Sequence, residues 1–235
     1  MLGTPKRDRR AERREATRAE ILEAAWDLVR AEGLASLNLR DLAARVGMQA
    51  PSLYSYFDSK HAIYDAMFAQ GAQELLDRER AVPVTGDVVR DLKAGARLFV
   101  GFCTEDPVRY QLMFQRFIPG FEPSPESYAM AVETLQIVRE RLAASGLTDP
   151  RDLDLLTAVT AGLTNQQIAN EPGGDRWVRL VDEAIEMYFE HVSQRTNQTP
   201  KHSARAGADG CLSRARRQWK ARSTPSPSSG VKVNQ

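Results

Sequence analysis

From Thr17 to Ser193 glycine and proline cut the chain into stretches whose apolar residues recur at helical spacing, and this punctuation constrains the fold more than any other feature. The stretch Thr17–Gly33 places Ile21, Leu22, Ala25, Trp26, Leu28 and Val29 on one face of an amphipathic helix. Thr17 and Glu20 have the spacing of a capping box, and Gly33 supplies a left-handed stop. Asn38, with Asp41 in the first turn, starts a second helix that ends at Gly47. Pro51 suits the first turn of a third, running to about Phe57, and Asp58 or Ser59 caps a fourth over about 60–80. Further helices are expected over about 87–105, 107–117, 127–145, 150–170 and 175–193. No segment alternates as a strand does, so the expected fold class is all-α.

Hydrophobic residues make up 42% of the 235 and charged residues 27%, enough apolar surface to build a core. No run approaches the roughly 18–20 apolar residues of a membrane helix, and the charged opening residues do not read as a secretory signal. Cys103 and Cys211 are far apart, which argues against a disulfide framework or a cysteine metal site and fits a reducing cytoplasm. His61, His191 and His202 have no ligand-pair spacing, and no nucleotide-loop, nucleophile-elbow or zinc-protease pattern occurs. No metal, cofactor or enzymatic activity is therefore expected.

The net charge of +1 hides a division. Residues 1–60 sum to +2, residues 61–195 to −8 and residues 196–235 to +7. Basic ends around an acidic middle suggest a polyanion partner for one part of the molecule. Residues 1–16 are expected to form a basic flexible arm. Residues 196–235, rich in Ser, Thr, Pro, Arg and Lys, are expected to form a disordered basic tail.

The stretch Leu37–Lys60 is the most informative. Two short helices flank a turn at Gly47, with Leu39, Leu42, Ala43 and Val46 directed inward and Leu53 and Phe57 anchoring the second helix from behind. Its other side presents Gln49, Ala50, Ser52, Ser55 and Tyr56, with Tyr54 at the flank. These side chains are short or hydrogen-bonding and uncharged, as a helix reading base edges in a major groove requires. Arg40 and Lys60 stand at the margins, where phosphates would run. An ordinary helical hairpin would share the short helices, the glycine turn and the apolar back.

The succession of a capped helix, then Asn-Leu-Arg-Asp-Leu-Ala-Ala-Arg-Val-Gly, then Pro-Ser-Leu-Tyr-Ser-Tyr-Phe-Asp-Ser-Lys, resembles the N-terminal domain of TetR-family transcriptional regulators over about 17–74. The block Leu53-Tyr54-x-Tyr56-Phe57-x-x-Lys60 carries the likeness, with Tyr56 where the family more often has His. Asp106-Pro107-x-Arg109-Tyr110 and Pro172-Gly173-Gly174-Asp175-Arg176-Trp177 resemble a C-terminal domain common in actinobacteria. The resemblance implies a helix-turn-helix over about 38–57, in a DNA-binding domain of about 17–75. A ligand-binding and dimerisation domain of about 76–195 would follow. It also implies that Arg40, Gln49, Ala50, Pro51, Ser52, Tyr54, Ser55, Tyr56 and Lys60 line a palindromic operator.

In the C-terminal part, Phe99, Phe102, Cys103, Tyr110, Met113 and Phe117 form an apolar, aromatic-rich stripe, with Gln166 one of three consecutive amides. They are either ordinary core or the lining of a cavity for an unknown small apolar ligand. Ala158, Ala161, Gly162 and the apolar faces of the last two helices suit either a four-helix dimer seam or intrachain core. The expected function is a cytoplasmic homodimeric regulator of transcription, a repressor released by a small ligand. The alternative is a ligand-independent architectural or nucleoid protein.

Overall fold

The computed structural model describes residues 9–198, and the expected tail beyond 198 and the first eight residues of the expected arm lie outside them. The described residues form helices α1 (Arg9–Glu32), α2 (Leu39–Arg45), α3 (Ala50–Leu53), α4 (Lys60–Arg80), α5 (Val88–Glu105), α6 (Pro107–Phe114), α7 (Pro125–Ala144), α8 (Pro150–Asn170) and α9 (Val181–Gln198). Short 3-10 turns span Leu34–Ser36 and Val178–Leu180, and no strand occurs among the described residues. The described residues are all-helical, as expected.

Local chemistry sets most helix starts. The side chains of Asn38, Ser59, Asp87, Asp106, Ser124 and Asp149 each accept a backbone N–H from the first turn that follows. Gly33 at φ 87° and Gly47 at φ 67° make the left-handed turns that end α1 and link α2 to α3.

Helix α1 is longer than its pattern predicts. It begins at Arg9 instead of Thr17, so Thr17 and Glu20 lie inside it and residues 9–16 are helical where a flexible arm was expected. The Arg/Glu-rich run consists of strong helix formers with favourable spacing of opposite charges. Two helices are shorter than expected. Regular α3 stops at Leu53, and tighter i→i+3 bonds from Ser55 N to Ser52 O and from Tyr56 N to Leu53 O continue the turn. Helix α6 stops at Phe114, where Gln115 turns extended ahead of the Ile118-Pro119 pair. The last helix begins late because the 3-10 turn Val178–Leu180 precedes it, held by α8. The buried Gln167 side chain accepts the N–H groups of Trp177 (2.8 Å) and Val178 (3.3 Å).

There are two principal cores, and of the two only the first includes α4 residues. The first gathers Ile21, Leu28, Leu34, Leu37, Leu42, Leu53, Phe57, Ile63, Tyr64 and Met67 from α1 to α4. The second gathers Leu92, Val100, Leu142, Leu153, Leu156, Val181, Ile185, Tyr188 and Val192 from α5 and α7–α9. A smaller cluster of Leu75, Phe102, Cys103 and Tyr110 lies beside them. The boundary expected near residue 75 falls inside α4, which runs unbroken through it.

Candidate nucleic-acid interface and ligand cavity

The two short helices carry the predicted apolar anchors inward. Leu42, Ala43, Leu53 and Phe57 are buried, and Leu39 and Val46 pack partly buried against them. With the backs of α2 and α3 fixed, their fronts remain in solvent. Arg40, Gln49, Pro51, Ser52, Tyr54 and Ser55 are exposed, and Ala50, Tyr56 and Lys60 are half-buried. Tyr54, a large aromatic side chain, is 52% exposed. No side chain from Val46 to Phe57 carries a charge. The structure therefore brings all nine residues onto or beside one hairpin. Lys60 is the most constrained: its ammonium lies 3.4 Å from the Ala35 carbonyl and 5.5 Å from the centre of the Tyr64 ring.

Arg14 and Arg18 support this hairpin, and sequence reading missed them. Their guanidinium groups donate to the carbonyls of Ser55 and Tyr56, which end the second helix. Arg14 also stacks over the Tyr56 ring at 5.2 Å and Arg18 over Phe57 at 4.3 Å. Cations on terminal carbonyls complement the negative end of a helix. The signal was present: Arg14 and Arg18 stand four apart on α1, and Ile21 and Leu22 follow on the same face.

The second site is a cavity of about 200 Å³ lined by α4, α5, α7, α8 and the end of α6. Phe68, Ala72, Leu75, Leu92, Ala96, Phe99, Met113, Leu135, Val138 and Leu156 supply most of its wall. Phe99 and Met113 are the sequence-predicted ligand residues that line it. The other five do not. Phe102, Cys103 and Tyr110 pack in the small cluster around Leu75, where burial pushes the Cys103 thiol pKa far up. Phe117 is 52% exposed. Gln166 points to solvent and bonds Asn170, because the 3.6-residue period turns its neighbour Gln167 inward instead.

The cavity also has a charged end that sequence reading missed. Glu79 and Arg141 form an ion pair with side chains only 4% and 10% exposed. A second Arg141 nitrogen donates to the Glu79 carbonyl at 2.9 Å. Burial raises the Glu79 carboxyl above its usual range, and the Arg141 charge works against that rise. Gly95 gives the guanidinium its space, since a Cβ there would lie 3.1 Å from Arg141 Nη1. Nearby, Asp91 accepts the Thr85 hydroxyl at 2.7 Å and the amides of Thr85 and Gly86, which hold its carboxyl below the usual range. A usable signal for Glu79 is its place three and four residues after Leu76 and Leu75 on the buried face of α4.

Residues 21–67 match the model of bacterial regulatory proteins of the tetR family. That span covers the buried face of α1, the whole hairpin and the start of α4. The hairpin and the helices that flank it are therefore similar to that family. The chain is 27% identical over 186 residues to the HTH-type transcriptional regulator Rv1816 of Mycobacterium tuberculosis (strain ATCC 25618 / H37Rv), covering 76% of this chain and 80% of the relative. Among solved structures, the regulatory protein SCO4313 superposes with a TM-score of 0.66 at 23% identity, over 80% of this chain and all of that one. A TetR variant from Acinetobacter baumannii AYE, solved in complex with minocycline, superposes with a TM-score of 0.53 at 20% identity, over 76% and 97%. Among the described residues no cluster of His, Cys, Asp and Glu could hold a metal ion, and no helix is long and apolar enough to cross a membrane.

Proposed function

We propose that the chain is a homodimeric repressor that reads a palindromic operator through α2 and α3 and leaves it when a small apolar molecule enters the cavity. In this reading Gln49, Ala50, Pro51, Ser52, Ser55 and Tyr56 meet base edges, with Tyr54 at the flank. Arg40 and Lys60 meet phosphates, and Lys60 must leave the Ala35 carbonyl to do so. One observation supports the ligand step above all: α4 belongs to both places. Its first residue, Lys60, follows the hairpin directly, and Phe68, Ala72, Leu75 and Glu79 border the cavity further along. A molecule that fits the cavity better at another α4 position lowers DNA affinity by linkage. The minocycline complex of the similar TetR variant is consistent with such a step.

The dimer reading rests on faces left open. Val181, Ile185, Tyr188 and Val192 of the expected seam are buried in the chain's own core. Ala158 and Gly162 on α8 and Met187 on α9 are exposed, and a Cβ at Gly162 would meet nothing within 4 Å. Small residues on an open helix face permit close approach of a partner helix.

The test is a footprint on operator DNA selected from random sequence. A palindrome with half-sites about 34 Å apart supports the reading. Uniform coating would favour the ligand-independent architectural protein. A reporter that rises on deletion of the gene indicates repression, and one that falls indicates activation.

A further inference from the structure

The charged end of the cavity restricts which molecules can enter. Three charged side chains line it: Glu79, Asp91 and Arg141. The single positive charge already faces Glu79. Asp91 has both carboxylate oxygens bonded to Thr85 and Gly86. An anionic guest would bring a third negative charge to one cation in a poorly solvated place, which is costly unless a proton is taken up. A cationic guest would sit beside the Arg141 guanidinium and compete for acceptors already engaged.

Donors, by contrast, are in surplus. An arginine side chain carries five N–H hydrogens. Arg141 commits two of them, to the Glu79 carboxylate and the Glu79 carbonyl. Its Nε–H is buried without a partner. Thr134, Thr157 and Thr160, three of the four hydroxyl-bearing side chains that line the cavity, already donate back to the Met130, Asp154 and Leu156 carbonyls of their own helices. The rest of the lining is mostly aliphatic and aromatic. An apolar cavity of about 150 Å³ takes a benzene molecule, so about 200 Å³ admits a substituted ring or a chain of similar bulk.

We propose that the cavity selects an uncharged, mainly apolar molecule with one hydrogen-bond acceptor, and that Arg141 donates to that acceptor. The inference rests on the ligand-released reading given above and narrows its ligand to a chemical class. Arg141 acts as the specificity-determining residue, held by Glu79 and by the space that Gly95 leaves.

Four probes of nearly equal shape test it on the full chain: para-ethylacetophenone, para-diethylbenzene, para-ethylbenzoate and para-ethylbenzylamine. Affinity is read by calorimetric titration and by the shift in melting temperature. The ketone should bind about tenfold more tightly than the hydrocarbon, the usual worth of a hydrogen bond from a charged donor. The benzoate and the benzylamine should bind more weakly than the hydrocarbon. In Arg141→Lys, which keeps the charge but removes the forked donors, the ketone's advantage should fall to about twofold or less. Because the ranking is measured on the unaltered chain, it stands whether or not the variant folds. Tightest binding of the benzoate or the benzylamine would overturn the neutral-ligand inference while leaving the ligand-responsive reading intact. Equal binding of ketone and hydrocarbon would remove Arg141 from recognition. If none of the four shifted the melting temperature or bound, the cavity reading itself would fall, and this inference with it.

Discussion

The two ends of α4 lie in differently made surroundings. Around its first half, Ile63, Tyr64 and Met67 pack among apolar residues of α1, α2 and α3, and the Tyr64 hydroxyl finds the Leu34 carbonyl. Around its second half, Ala72, Leu75 and Glu79 border open space and a buried ion pair. The buried polar and charged side chains show the same division: Glu79, Asp91, Asp106, Arg109, Asp152, Thr160, Thr164 and Gln167 among them, all lie at or beyond residue 79. A region that must hold a hairpin against a rigid duplex is packed dry and keeps its polar groups outside. The second region keeps unfilled volume and internal charge. Between them run Arg30 to Asp106 (2.8 Å) and Arg109 to Glu74 (2.7 Å), which tie α1 and α4 to the start of α6.

The sharpest break in this comparison comes from the ion pair. Arg141→Ala leaves the Glu79 carboxylate buried and unpaired, and should cost about 3–5 kcal/mol. Replacing both residues by leucine should recover most of that loss. Urea unfolding of the two variants checks the pair. A loss below about 1 kcal/mol for Arg141→Ala would mean that the Glu79 end of the cavity is not dry.

Truncating core residues probes packing directly. Leu42→Ala, in the dry core, should destabilise by about 2–5 kcal/mol, and Leu156→Ala, on the cavity wall, by distinctly less. Leu156 already lacks neighbours on one side, so its removal forfeits fewer contacts. Equal losses in thermal unfolding would show that the cavity closes in solution.

The outward side of the hairpin offers a third test, in binding rather than stability. Ser52→Ala and Tyr54→Ala should each weaken operator binding by about 1–3 kcal/mol. Melting temperature should barely move, because both side chains are exposed. Lys60→Ala should weaken binding to all sequences alike and flatten its salt dependence. A change of preferred operator in Lys60→Ala would remove it from the phosphate margin.

The contrast between the regions also explains what was legible in the sequence. The dry core follows from periodicity: Ile21, Leu22, Ala25, Trp26, Leu28 and Val29 were placed by spacing and all are buried. Capping residues fixed the starts of α2 and α4 because a cap is a local contact. The cavity follows from long-range contacts that periodicity does not encode. Nothing local joins Glu79 to Arg141, 62 residues apart, or Gln167 to the 3-10 turn that precedes α9. An aromatic stripe marks a face as apolar without saying whether a neighbouring helix fills it. Phe102 is therefore core and Phe99 cavity wall, three residues apart on one helix. Arg14 and Arg18 escaped because a charged segment reads as solvated until its partners, the Ser55 and Tyr56 carbonyls, come into view.

The smallest expected effect is a difference in acid sensitivity, and its sign separates the two carboxylates beside the cavity. The Thr85 hydroxyl and the amides of Thr85 and Gly86 bond to the Asp91 carboxylate and lower its pKa on folding. A depressed folded value stabilises the chain above the ordinary carboxylate range, near about pH 4, and that stabilisation is lost as pH falls through the folded value. Glu79 runs the other way. Burial raises its folded value, so its contribution is full below the ordinary range and is lost as pH rises through the raised value. The two slopes partly cancel in the whole chain, and single substitutions should separate them. Asp91→Asn should lower the melting temperature at neutral pH and lose less on acidification than the unaltered chain does. Glu79→Gln, which keeps an acceptor for Arg141, should lose stability more steeply with acid, because the opposing slope is gone. Melting curves from about pH 3 to 7 measure both. Identical acid slopes for the two variants would mean that these carboxylates titrate as exposed groups, and the description of the second region as one with internal charge would no longer hold.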